Sequence, residues 1–165
     1  MASIFYHLRN EGKLTARIHT RGYLDQWKQM NELGLKVGSG DEMIRAGTVK
    51  AWIDGIMGNS TARFYQPYSH NANEFGIWRK IMFPWRSKNN GRDLQSNLEY
   101  LALQADSAGI QLSVHAIGDA GNGYLLDMMD HLIEKNGKKD RRFRLVHAQV
   151  IRPEDFKRFQ GKNII

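Results

Sequence analysis

Lys50, His115 and His147 are the residues of this chain whose types and spacing could do chemistry together. Each sits in a stretch whose side chains alternate between two faces, as they do along a strand. From Thr48 to Asp54, Val49, Ala51 and Ile53 form an apolar face, and Thr48, Lys50, Trp52 and Asp54 form a polar and aromatic one. A parallel strand covered by helices on both sides is apolar throughout, so this second face is expected to border a polar cavity. In Gln111–Ala116 the same alternation sets Gln111, Ser113 and His115 against Leu112, Val114 and Ala116. In Arg144–Gln149 it sets His147 and Gln149 against Val146, Ala148 and Val150.

His147 follows His115 by 32 positions. One unit of an eightfold βα barrel takes about 31 residues, and the active sites of such barrels lie at the C-terminal ends of their strands. Two histidines one unit apart, each near a strand end, therefore suit a pair of metal ligands, because neutral imidazole binds first-row metals well. Taken singly, either would be an ordinary hydrogen-bonded histidine, which is the reading for His7, His19, His70 and His131. Lysine on an inward face is costly unless paired or modified. For Lys50 the residues leave two options open: an ion pair with Asp54 or Asp119, or carboxylation by carbon dioxide into an anionic ligand able to bridge two metal ions.

These residues need a frame of alternating strands and helices. The pattern predicts strands at Leu14–His19, Thr48–Asp54, Ile110–Ala116 and Phe143–Val150. It predicts helices at Tyr23–Leu33, Leu94–Ala108 and Ala120–Glu134, from apolar residues at helical spacing. Asp93 is placed as an N-cap, Gly34 and Gly109 as helix stops. Pro153 opens a short helix to about Phe159, and Asn163–Ile165 starts one more strand. Residues 55–92 show little periodicity and read as a long loop over the rim. Its aromatics Trp78, Phe83 and Trp85 are equally suited to line a substrate pocket or to form a satellite core. Strands alternating with helices give parallel βαβ units. No dinucleotide glycine fingerprint follows any strand, and the glycine-rich Gly118–Gly123 lacks a P-loop lysine; a tight strand-to-helix turn fits it better.

Composition narrows the function classes. The chain of 165 residues is 41% hydrophobic and 25% charged, ordinary for a globular domain. Cysteine is absent, which excludes disulfides, thiolate metal sites and a thiol nucleophile. No apolar run reaches the ~18 residues of a membrane span, and the first residues lack a signal-peptide pattern. The net charge of +7 invites a nucleic-acid reading. Its densest cluster, Lys138, Lys139, Arg141, Arg142 and Arg144, is however broken by Asp140, lies beside no nucleic-acid motif, and reads as a solvated loop.

Three segments resemble the amidohydrolase superfamily, in particular its amidohydrolase-3, YtcJ-like branch. They are Val49-Lys50-Ala51-Trp52-Ile53-Asp54-Gly55 with Gly58-Asn59-Ser60-Thr61-Ala62, then Val114-His115-Ala116-Ile117-Gly118-Asp119, then Arg144 to Asp155. The resemblance implies an α/β fold: a partial TIM-like (β/α)8 barrel holding about strands three to six, with residues 1–165 as one partial barrel domain. It implies that Lys50 is a carboxylated bridging lysine and that His115 and His147 are metal ligands, the metal being zinc, as one or two ions. It implies a hydrolase of carbon–nitrogen, amide-like, non-peptide bonds acting through metal-activated water on a small-molecule substrate. The family's first-strand His-x-His pair and last-strand catalytic aspartate have no counterpart here, so no catalytic residue is assigned and the expectation is an internal piece of the barrel, inactive alone. The alternatives are a truncated, inactive relative and a small basic α/β binding module. No nucleic-acid or membrane partner is expected; the cytoplasm is slightly favoured, with the true N-terminus missing.

Overall fold

The computed structural model describes residues 2–79 and 94–165. Asp93, Phe83 and Trp85 lie outside the described residues, so the N-cap expected at Asp93 and the roles considered for the two aromatics are not addressed. A helix α1 (Ala2–Asn10) leads into strand β1 (Ile18–Tyr23), helix α2 (Trp27–Glu32) and strand β2 (Ile44–Trp52). Then come helix α3 (Leu94–Ser107), strand β3 (Gln111–Ala116), helix α4 (Asp119–Asn136) and strand β4 (Arg144–His147). The four strands form one sheet in the order β1-β2-β3-β4, every pair parallel.

Alternation explains which side of that sheet the helices occupy. Val49, Ala51, Ile53, Leu112, Val114, Ala116 and Leu145 point one way and join a single apolar core with Leu98, Ala102 and Ala105 of α3 and Leu125, Met129 and Leu132 of α4. The helix residues recur at three- and four-residue spacing, which puts them on one stripe. Gly22 of β1 leaves room for Met30 of α2: a Cβ at that glycine would lie 2.8 Å from the Met30 sulfur. The core thus lies between the sheet and helices packed on the same face, and the other face carries the polar side chains. A sequential, all-parallel strand order with helices on one face differs from a doubly wound sheet, whose helices cover both.

Several boundaries move from the sequence expectation. The first strand starts at Ile18, not Leu14, and runs through Tyr23. Residues up to Leu14 close α1 instead, with the amides of Lys13 and Leu14 donating to the Leu8 carbonyl. The fourth strand ends at His147, not Val150, because His147 and Ala148 adopt left-handed backbone with φ of 78° and 43°. The short helix from Pro153 is a 3-10 helix to Phe159. Ile165 exchanges backbone hydrogen bonds with β4, donating to the Phe143 carbonyl at 2.8 Å and accepting from Leu145 N–H at 3.2 Å. That is the start of parallel pairing expected for Asn163–Ile165.

The basic segment before β4 is exposed at Lys138, Lys139, Asp140 and Arg142, as a solvated loop would be, but Arg141 turns inward. Arg141 is 6% exposed and gives Asp106 of α3 two hydrogen bonds, of 2.8 and 3.2 Å, while also donating to the carbonyls of Leu132 and Gly137. Lys139 pairs with the same carboxylate at 3.3 Å. The guanidinium ties the C-terminal ends of α3 and α4 together. Removing Asp106 leaves a buried cation without its counter-charge, a loss of about 3–5 kcal/mol. Asp106→Ala is therefore expected to lower the urea midpoint of the chain by that equivalent, and Asp106→Leu combined with Arg141→Met is expected to recover most of it. A midpoint unchanged by Asp106→Ala would remove this pair from the account of the fold.

Candidate functional site

The polar face of the sheet is built in rows. Parallel register sets Tyr23 beside Lys50, Lys50 beside Ser113 and Ser113 beside Arg144. Two residues nearer the C-terminal ends, Trp52 stands beside His115 and His115 beside Val146. Two residues the other way, Arg21 stands beside Thr48 and Thr48 beside Gln111. That lower row is closed by hydrogen bonds: His19 Nε2 lies 2.7 Å from Thr48 Oγ1, which donates to Gln111 Oε1 at 2.6 Å.

Lys50 and His115 thus share a face because their strands pair in that register. His147 reaches the same place by a different route. Its register partner is Ala116, so strict alternation would send its side chain to the helix side with Leu145. The left-handed turn at His147 and Ala148 reverses that direction. The imidazole then meets His115 edge to face, with ring centroids 4.7 Å apart. Left-handed backbone is costly for residues other than glycine, and here it is held by Ala148 N–H donating to the Ala116 carbonyl and Val150 N–H to the Ile117 carbonyl. Gln149 shares no strand face with His147, contrary to the alternating pattern, since the strand has ended.

His115 is 5% exposed and its Nε2 lies 2.8 Å from the Gly55 carbonyl and 3.3 Å from Asp54 Oδ1. A carbonyl only accepts, so Nε2 donates and Nδ1 is the nitrogen not engaged by Gly55. Asp54 is fully buried. Its carboxylate accepts from the backbone N–H groups of Arg63, Ile117 and Gly118, at 3.0, 3.1 and 2.8 Å. Asp119 Oδ1 accepts from Tyr65 N–H at 2.9 Å. Neither aspartate pairs with Lys50, whose ammonium instead sits 5.2 Å from the centre of the Trp52 ring. His147 is exposed at the rim, and partial desolvation, then His115 and Lys50, hold its proton affinity below the ordinary value.

The loop after β2 packs along this rim. It holds one 3-10 turn, Met57–Asn59, and Arg79 N–H returns to the Ile53 carbonyl at 2.8 Å. Gly118 is required where the loop crosses: a Cβ there would lie 1.9 Å from the Arg63 carbonyl oxygen. Trp78 packs against the main apolar core, 5.7 Å from the Tyr124 ring. Sequence reasoning missed two residues of this region. Asn122, fully buried in α4, donates through Nδ2 to the carbonyls of Gly118 and Val150 and so joins the ends of β3 and β4. Arg21 escaped because the predicted strand stopped at His19. An asparagine three residues into a helix, after a glycine turn, is the one local signal that the former offered.

The whole-chain comparison decides the family. The Amidohydrolase family model matches residues 2–164. The chain belongs to the amidohydrolase family. Within it, the YtcJ-like amidohydrolase-3 branch is supported by YtcJ of Bacillus subtilis strain 168, a protein named after the amidohydrolases, which is 29% identical over 143 residues. The Protein LONG AFTER FAR-RED 3 of Arabidopsis thaliana is 36% identical over 140 residues. These matches cover 85% and 84% of this chain but only 23% and 22% of the two relatives, so the chain spans less than a quarter of their length. Crystal structures of uncharacterised metal-dependent hydrolases from Pyrococcus furiosus and Pyrococcus horikoshii share the fold over 99% of this chain. Their TM-scores are 0.74 and 0.75 at 21% identity, and the amidohydrolase chain covers 30% and 29% of them.

Lys50 yields a prediction that needs no metal. Burial, and after it the charge of Arg21, brings its ammonium down to about 8. Competitive acylation of the chain, read peptide by peptide by mass spectrometry, is expected to place the Lys50 midpoint near pH 8, against ~10.4 for exposed lysines. Between those values the unfolded chain binds more protons, so stability rises with pH through that window, and Lys50→Met is expected to remove the rise. A Lys50 midpoint at the ordinary value would contradict this environment.

Proposed function

We propose that this chain is the part of an amidohydrolase barrel that supplies Lys50, His115 and His147 as ligands of a divalent metal centre, most reasonably zinc as one or two ions. The observation that carries the reading is the convergence of the two imidazoles, 4.7 Å between ring centroids, on the face that Lys50 shares. The barrel assignment, with β1 to β4 as about its third to sixth strands, rests on the sequential parallel order and on helices confined to one face.

The donor chemistry fits a metal. His115 commits Nε2 to the Gly55 carbonyl, the arrangement by which a backbone acceptor fixes a ligating histidine and leaves the other nitrogen for the ion. The lowered proton affinity of His147 favours the neutral imidazole that metal binding needs. The lowered Lys50 proton affinity provides free amine at mildly alkaline pH. Free amine adds carbon dioxide to form a carbamate, N–C bond made and proton released, which turns a cation into an oxygen ligand. Among the described residues no group of three or more His, Cys, Asp or Glu is placed to hold an ion. In this reading the remainder of a relative-length barrel completes the ligand set, and the segment by itself is expected to be inactive. When bound, the metal lowers the pKa of a water so that hydroxide forms near neutrality and polarises a carbonyl. For the whole protein this supports hydrolysis of a carbon–nitrogen, amide-like, non-peptide bond in a small-molecule substrate.

Asp54 and Asp119 are engaged by backbone N–H groups and have no part as the general base; their role is to hold the loop and the ring of His115. A full-length protein is the right material for the test. Inductively coupled plasma analysis is expected to find stoichiometric zinc that falls at least tenfold in Lys50→Ala, His115→Ala and His147→Ala, together with amide hydrolysis. A full-length protein free of metal, or three variants that retain it, would end this reading and favour an inactive relative.

A further inference from the structure

We infer that Trp52, with Tyr23 beside it, is the specificity wall of the site, and that the wall receives a flat aromatic group carried by the amide substrate. Parallel register sets Trp52 directly beside His115 on the next strand, and neighbouring strands lie about 4.8 Å apart. Lys50 precedes Trp52 by two residues on the same face, and its nitrogen lies 5.2 Å from the indole ring centre. That proximity is set by the spacing along β2 and does not depend on the charge of the nitrogen. Tyr23, at the end of β1, is the register partner of Lys50. Its ring lies diagonally from Trp52, with centroids 6.2 Å apart and planes tilted by 40°.

The two rings do not serve the core. Trp27 and Trp78 pack against the apolar cluster on the helix side, whereas Trp52 and Tyr23 neither belong to that cluster nor pack against it. Trp52 is half-buried although its strand has a neighbour on each side, and it stands beside Lys50 and His115. The rim is thereby divided. Aromatic rings occupy the ends of β1 and β2, and the imidazoles of His115 and His147 occupy the ends of β3 and β4. An amide seated with its carbonyl toward the imidazoles carries its substituent to the indole side, about one strand spacing away. A flat π-face gains offset or edge-to-face contact with such rings, which a saturated ring of the same size does not.

The inference deepens the proposed hydrolase and rests on it for the reaction. What it adds is the substrate class: an amide with an aryl ring one or two atoms from the cleaved bond. Recognition of that ring uses side chains of β1 and β2 alone, so it is measurable apart from metal binding and apart from turnover.

The test uses the full-length protein and two uncharged amides of similar size, N-benzylacetamide and N-(cyclohexylmethyl)acetamide. Their dissociation constants are measured by NMR titration in chelator. The aryl amide is expected to bind about threefold to tenfold more tightly, the size of an aromatic pair's contribution beyond area burial. Trp52→Leu should bring that ratio to about one and Tyr23→Leu should lower it. Trp52→Phe, which keeps a ring at the position, should retain most of it and covers the case in which leucine disturbs the fold. Tyr100→Leu, at an exposed position on α3, should leave it unchanged. In the metal-loaded protein the ratio of kcat/KM for the two amides should fall in Trp52→Leu while zinc stays stoichiometric. A metal-free wild type that still prefers the aryl amide sinks the hydrolase reading and supports the wall. A metal-bound wild type that binds the two amides equally, or binds neither, overturns the wall, and so does a preference that survives in Trp52→Leu.

Discussion

A fully buried carboxylate, that of Asp54, holds the working end of this sheet together. It lies just beyond β2 and accepts backbone N–H groups from Arg63 in the following loop and from Ile117 and Gly118 at the β3–α4 turn. An ionised group without water is tolerated only when its oxygens are saturated with donors, and here three amides and the His115 ring do that. The consequence is structural order at a distance. Two strand ends and a loop cannot move independently without stripping a buried charge of its partners, so the orientation of His115 and the path of the loop are set together.

From that constraint the two faces of the sheet follow different physics. The helix side is a conventional apolar core in which Val49, Leu112, Val114 and Leu145 meet α3 and α4. The other side carries His19, Arg21, Lys50, Ser113, His115 and Arg144 in ordered rows. Burying such groups is unfavourable unless they are partnered. The lower row meets the requirement internally through His19, Thr48 and Gln111; in the row of Lys50, Ser113 accepts from Arg21 and the ammonium lies over the Trp52 ring.

The buried pair between Asp106 and Arg141 does for the opposite end of the sheet what Asp54 does for the rim. It joins two helix ends through side chains far apart in sequence. Both networks are invisible to local periodicity, since an aspartate in a helix and an arginine in a basic loop each look like solvated residues until the fold brings them into contact. The same holds for Arg21, whose donation to Ser113 spans 92 positions of chain.

By itself the sequence determined the alternation of strands and helices, the helices α3 and α4 nearly to the residue, the two-faced character of β2 and β3, and the family. Those features are written in local periodicity and in contiguous motifs, which need no knowledge of distant contacts. Tertiary structure alone decided where β1 and β4 begin and end, and with them the geometry around the histidines. His147 shows why: the pairing of β4 with β3 sets it opposite Ala116, and only the left-handed backbone held by hydrogen bonds to Ala116 and Ile117 returns its ring to His115. Counting residues along a strand predicts a direction only as long as the strand continues, and whether it continues is settled by the partners its backbone finds.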